Sequence, residues 1–247
     1  MRTLALVLVL MVAPLAARAE DLHVYAGAGL REVVDGLART FEGRTGLKVA
    51  VEYGGSGQLL VRIRESGKGD VFIPGSMMYI GQLERDGMVA GKRELAVHAP
   101  VLAVNKAAAG KVTSFADLAR PGLRLALGDA KAMALGRTAD AIVERSGMKD
   151  AILANVTVRA ATVRQLALYV VNGDVDAAIV GGPELARNAD GLIGVEIPAG
   201  LYEPEVAGVA VLTCSARPGD AEAFAALLAS DTGRAAFAAA GSPPVGR

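Results

Sequence analysis

Short, wholly apolar runs alternate with amphipathic ones along most of this chain of 247 residues. Leu22 to Ala26, apolar but for His23, is a candidate for a strand covered on both faces. Leu30, Val33, Val34, Leu37 and Phe41 then recur at helical spacing until Gly46 supplies a stop. The same unit returns at once: Lys48 to Tyr53 is a strand, Gly54 to Gly57 a turn, and Leu59, Leu60 and Ile63 the apolar face of a helix. Asp70 to Ile73 is a third strand, and after Pro74-Gly75-Ser76 a helical period resumes from Met77 to Asp86. Strands alternating with helices of these lengths predict an α/β fold whose sheets are mostly parallel and covered on both faces.

Glu94 to Asn105 is a longer extended stretch broken by Pro100, a residue that suits a crossover better than a central strand, so a hinge is expected near Ala99. Beyond it the alternation restarts. Ser114 to Asp117 has the form of a capping box, Leu123 to Leu127 is a strand, Leu135 to Ser146 a helix, Val156 to Arg159 a strand and Thr162 to Asn172 a helix. Ala177 to Val180 is the next strand, and Gly181-Gly182-Pro183 turns into a brief helix ending before Asn188. Leu192 to Ile197 and Val206 to Cys214 read as return strands, followed by helices over Asp220 to Ala229 and Asp231 to Ala240. The tail most simply rejoins the first half, which gives two lobes joined by two crossings: residues 20–98 plus 201–247, and residues 99–200.

Composition narrows the class. Residues 1–19 read as an export signal, with Arg2 ahead of the apolar run Leu4 to Ala16 and small residues around a cut after Ala19. A soluble mature chain in a bacterial periplasm is the resulting expectation. The 26 basic and 26 acidic residues cancel, leaving no global field to attract nucleic acid or a membrane surface. The absence of tryptophan removes the usual platform for stacking sugars or bases. Cys214 is the single cysteine, so no disulfide forms within the chain, and its strand-like surroundings mark it as a small hydrophobe.

Two turns carry the candidate chemistry. Ala26-Gly27-Ala28-Gly29 and Gly54-Gly55-Ser56-Gly57 each follow a strand and open a helix. Glycine lets backbone approach a ligand, and a helix start presents unpaired N–H groups with partial positive charge, so each turn is an oxyanion seat. Two seats predict one anion held between helix ends. Ser56 offers a hydroxyl and, with Gly57, backbone donors; Gly29 and Leu30 offer backbone donors only. In the second half, Thr162 is an expected N-cap ahead of Val163, Leu135-Gly136 opens another helix, and Gly181 stands at the mouth of a strand. Arg31 lies in the first turn of a helix, where a cation opposes the macrodipole and calls for a compensating anion, either a ligand or the nearby Glu32 and Asp35.

Catalytic readings fit less well. A nucleophile elbow around Ser56 would need glycine where Gln58 stands, and the phosphate loop of nucleotide hydrolases is absent. The two histidines, His23 and His98, have no metal or triad spacing, so neither an enzyme nor a bound cofactor is expected. Two alternatives stay open: another small anion, such as an organic acid held through Arg31, and a secreted hydrolase using Ser56.

Val24-Tyr25-Ala26-Gly27-Ala28-Gly29-Leu30, Gly54-Gly55-Ser56-Gly57, Gly69-Asp70-Val71-Phe72, Gly128-Asp129, Val163-Arg164-Gln165 and Gly173 to Val180 follow one another in a fairly specific order. In this set the chain resembles the periplasmic molybdate-binding proteins that deliver oxyanions to ABC importers. The resemblance implies a type II periplasmic-binding-protein fold with two α/β lobes, molybdate or tungstate as ligand, a membrane permease as partner, and a monomer that does no chemistry on its cargo. Carried over, it makes Ser56 the hydroxyl donor and the Leu135 and Val163 amides the donors of the second lobe. Two positions depart from the pattern: Gly29 stands where the family has serine, and Gly181 where it has tyrosine. Two lost hydroxyls leave a tetrahedral oxyanion short of hydrogen bonds unless water, Arg31 or another side chain replaces them.

Overall fold

The computed structural model describes residues 21–246; the export signal expected over residues 1–19 lies outside the described residues. In the first half, β1 (Leu22–Gly27), β2 (Val49–Gly54) and β3 (Val71–Ile73) alternate with helices α1 (Arg31–Thr45), α2 (Ser56–Ser66) and α3 (Met77–Arg85). Each helix stops where the sequence supplies a stop: Gly46 and Gly67 adopt left-handed φ of 73° and 58° and bond back to Glu42 and Ile63.

The long extended stretch around Pro100 resolves into two strands of different sheets, β4 (Val89–His98) and β5 (Pro100–Asn105), with Ala99 between them. The second half continues through β6 (Leu125–Gly128), α4 (Ala134–Arg145), α5 (Lys149–Ala154), β7 (Val156–Ala160), α6 (Val163–Val171), β8 (Ala177–Gly181), α7 (Gly182–Arg187) and β9 (Leu192–Val195). The chain then crosses back into β10 (Glu205–Leu212), α8 (Pro218–Ala229) and α9 (Asp231–Ala239). The short helix α5 has no counterpart in the sequence reading, because its six residues are too few for an apolar period to register. The last strand stops at Leu212, which leaves Cys214 just beyond it, half-buried, with its thiol donating to the Gly69 carbonyl.

Two five-stranded sheets result, ordered β2-β1-β3-β10-β4 and β7-β6-β8-β5-β9. In the first, β10 runs antiparallel to both neighbours while β1, β2 and β3 are mutually parallel, so β10 alone is reversed. In the second, β5 holds the same position against β8 and β9. The reversed strand in each sheet is the one that enters directly from the other lobe. Both sheets are covered on both faces: Val34, Phe41 and Phe224 pack on one side of the first and Ile63, Phe72 and Leu83 on the other. Leu125 with Ile142, and Leu166 with Val180, do the same for the second sheet. Helix starts at the carboxyl ends of β1, β2, β6 and β7 therefore face a single cleft, the position where open α/β sheets hold ligands.

Candidate functional site

Four helical segments begin at one small hollow between the lobes. From the first lobe come Ala28–Leu30, a single 3-10 turn that leads into α1, and the start of α2 at Ser56; from the second come the starts of α4 at Leu135 and α6 at Val163. The hollow offers about 30 Å³ to the centres of water-sized spheres, room for roughly two or three waters at about 10–15 Å³ each. That is the scale of a small inorganic ion.

Ser56 is buried, and its Oγ accepts a hydrogen bond from the Gly75 amide at 3.1 Å. Because that bond occupies a lone pair, the hydroxyl proton stays available to a guest oxygen. At α6 the Thr162 side chain caps the Gln165 amide at 3.3 Å, and Gln165 returns the bond to Thr162 N at 3.2 Å. The cap leaves the Val163 N–H without an acceptor of its own, since the first helical amides have no carbonyl one turn behind them. At α4, the facing pair Gly128 and Gly136 lets the helix start sit against the end of β6; a Cβ on Gly128 would be 2.7 Å from the Gly136 Cα. That approach sets the Leu135 amide at the hollow's edge.

Glycine here serves mainly the approach of one lobe to the other. A Cβ on Gly57 would stand 2.1 Å from the Lys131 carbonyl oxygen, and one on Gly55 would stand 2.4 Å from that of Ala132. Gly55 has an ordinary extended backbone, with φ −70° and ψ 139°, so space and not dihedral freedom demands glycine there. A Cβ on Gly29 would meet Val163 Cγ1 at 2.8 Å, so a side chain at that corner would need Val163 to shift.

Of the residues singled out in the sequence, Gly29, Ser56, Leu135 and Val163 line the hollow together. Gly57 does not: its amide donates to the Ala132 carbonyl at 2.8 Å and ties the lobes to each other. Arg31 is also elsewhere, its guanidinium 3.9 Å above the Tyr53 ring, whose hydroxyl in turn donates to Asp35 at 2.6 Å. Arg31 does not line the hollow; its guanidinium packs on Tyr53, whose hydroxyl is held in turn by Asp35. Burial, reinforced by Asp35, pushes the Tyr53 phenol well up, so it remains a neutral donor.

Gly181 does not line the hollow either, because His98 stands in front of it. A Cβ on Gly181 would lie 2.9 Å from His98 Nε2, and one on Gly75 would lie 3.1 Å from Nδ1. The ring is buried, lines the hollow and is 3.3 Å from the Gly75 carbonyl through Nδ1. Burial pushes its pKa below the usual 6.5, against the opposing pulls of the Gly75 carbonyl and Glu205. Sequence reasoning placed His98 beside a hinge without assigning it to the site. Its position as the last residue of β4, directly before a crossing, was the available signal, since a side chain at a lobe crossing borders the cleft.

Further contacts hold the lobes together. Arg187 on α7 pairs with Glu32 on α1 across the gap and with Glu184 in its own helix at 2.6 Å. Arg137 on α4 reaches Glu205 on β10 at 3.0 Å.

This geometry gives a two-lobed α/β fold with a candidate ligand seat at the inter-lobe cleft. The chain matches the family of bacterial extracellular solute-binding proteins over residues 22–242 and belongs to it. It is 40% identical over 222 residues to a Haemophilus influenzae protein described as a binding protein, covering 90% of each chain. The molybdate-binding protein ModA of Mycobacterium tuberculosis is 25% identical over 218 residues, covering 87% of this chain and 82% of that one. Among solved structures, the periplasmic molybdate-binding protein of Azotobacter vinelandii superposes with a TM-score of 0.83 at 23% identity, over 92% of this chain and 100% of that one. The sulfate-binding protein SubI of Mycobacterium tuberculosis superposes with a TM-score of 0.77 at 20% identity, over 91% and 87%. These likenesses agree with the type II fold of two lobes described above.

Proposed function

We propose that this chain is a periplasmic receptor that captures a tetrahedral oxyanion, molybdate or tungstate, and presents it to the membrane permease of an ABC importer. The observation that carries the proposal is the meeting of helix starts from both lobes around one small hollow whose lining includes the Ser56 hydroxyl. Backbone amides and a hydroxyl hold such an anion by charge-assisted hydrogen bonds and helix-end fields, with no need for a neutralising guanidinium. Closing the lobes excludes water from the anion and gives the permease a shape distinct from that of the empty receptor. A monomer suffices for this role, and the cargo leaves unchanged.

The other readings draw less support from the geometry. An organic acid held through Arg31 would need that side chain at the hollow, whereas it lies over Tyr53. A hydrolase would need a base on Ser56, and among the described residues Ser56 Oγ bonds the Gly75 amide and makes no hydrogen bond to His98.

Calorimetric titration of the mature chain with molybdate, tungstate, sulfate and phosphate tests the proposal. Tight one-to-one binding of molybdate or tungstate, with sulfate and phosphate weaker, is the expected result. No heat and no thermal shift with any of the four would remove it.

A further inference from the structure

The hollow lacks the two hydroxyls that the resemblance would place at positions 29 and 181, yet it holds one ring that the resemblance does not include. We propose that His98 contacts the ligand: on entry of an oxyanion dianion its Nε2 takes one proton from the solvent and donates it to a ligand oxygen. The inference rests on the oxyanion reading above and names the donor that fills the space before Gly181.

The argument begins at Nδ1. A carbonyl only accepts, so the contact between Nδ1 and the Gly75 oxygen at 3.3 Å requires the proton on Nδ1. In the neutral ring Nε2 then carries a lone pair. Among the described residues Nε2 makes no hydrogen bond to protein, and the ring that carries it lines the hollow, so Nε2 is the ring nitrogen left to answer a guest. A lone pair facing the oxygen of a dianion is repulsive, and a proton placed between them turns the contact into a charge-assisted hydrogen bond.

Neighbouring charges allow that change. Glu205, register-paired with His98 on β10, favours the charged ring, although it is shared with Arg137 from α4 at 3.0 Å. Glu184 of α7 is engaged with Arg187 through Oε2, while its Oε1 is buried without a hydrogen-bond partner among the described residues, 3.9 Å from where a Cβ on Gly29 would stand. The segment Pro74 to Ser76 and strand β8, which flank the ring, contain no ionisable side chain. Burial keeps the ring neutral in the empty site, which is the condition for net proton uptake when the anion arrives.

The test measures protons as well as affinity. Molybdate and sulfate are titrated into the mature protein between about pH 6.5 and 8.5, in buffers of different ionisation enthalpy. For one proton taken up, affinity should fall about tenfold per pH unit, and the binding enthalpy should vary with the buffer to the extent of one proton. His98→Gln keeps an N–H donor that does not titrate, so it should bind with affinity nearly independent of pH. Independently of any variant, one of the two imidazole NMR signals should move to its charged position when molybdate is added. Binding by the wild type without proton uptake, an unshifted imidazole, or an unchanged pH slope in His98→Gln would each overturn the inference and leave the receptor reading intact. Absence of binding by molybdate, tungstate, sulfate and phosphate alike would overturn the oxyanion reading and this inference with it.

Discussion

In the proposed function, a single oxygen of Ser56 serves the protein and its guest together. It accepts the Gly75 amide, which fixes the hydroxyl, and retains a proton that can be given to the ligand. Ser56→Ala removes one hydrogen bond to a charged partner, a loss of about 1.5–3 kcal/mol, or about ten- to hundredfold in affinity. Calorimetry on the purified variant measures that loss directly, and an unchanged dissociation constant would take Ser56 out of the site. The residue was legible in the sequence because a serine among three glycines at a helix start has few other uses. Arg31 stands away from the hollow for a physical reason: its guanidinium stacks on Tyr53 of β2, a contact that sequence spacing does not display.

The decisive feature among the elements is how the α2 start meets the loop before α4. The Gly57 amide bonds the Ala132 carbonyl at 2.8 Å, and a Cβ at that position would stand 2.1 Å from the Lys131 carbonyl oxygen. Backbone on both sides cannot yield, so Gly57→Ala should hold the cleft open. Within the first lobe the added methyl group sits at an ordinary helical position, and overpacking of about 1–3 kcal/mol falls on the closed state. The expected outcome is affinity weakened about tenfold or more, with the ligand-induced contraction in small-angle scattering reduced and the thermal midpoint of the ligand-free protein nearly unchanged. Full contraction in the variant would show that closure does not need this contact. Strands, helices and glycine turns were readable because periodicity and capping act over a few residues. The partner of each turn was not, since it comes from the other lobe, 74 or more positions along the chain.

Across the whole molecule, ion pairs fasten the outer rims of the cleft. Glu184 is buried to 1% exposure and relies on Arg187, itself 16% exposed, whereas Glu32 on the facing lobe is largely solvated. Removing the cation leaves a buried carboxylate without its counter-charge. Arg187→Met should therefore cost about 3 kcal/mol or more in urea unfolding, and adding Glu184→Gln should return much of it. Glu32→Ala should change stability little, because an exposed pair contributes about 1 kcal/mol at most. Equal losses for Arg187→Met and Glu32→Ala would mean that the bridge between lobes, and not the buried pair, supplies the stability.

The chain by itself determined two α/β units, their glycine turns, the break at Pro100 and the serine at the second turn. All of these follow from local sterics, capping and the burial of apolar faces. Only the tertiary structure decided which amides remain free for a guest, why Gly57 must be glycine, and that His98 fills the space before Gly181. Those outcomes depend on surfaces from separate lobes meeting within a few ångströms, and a one-dimensional pattern carries no measure of that distance.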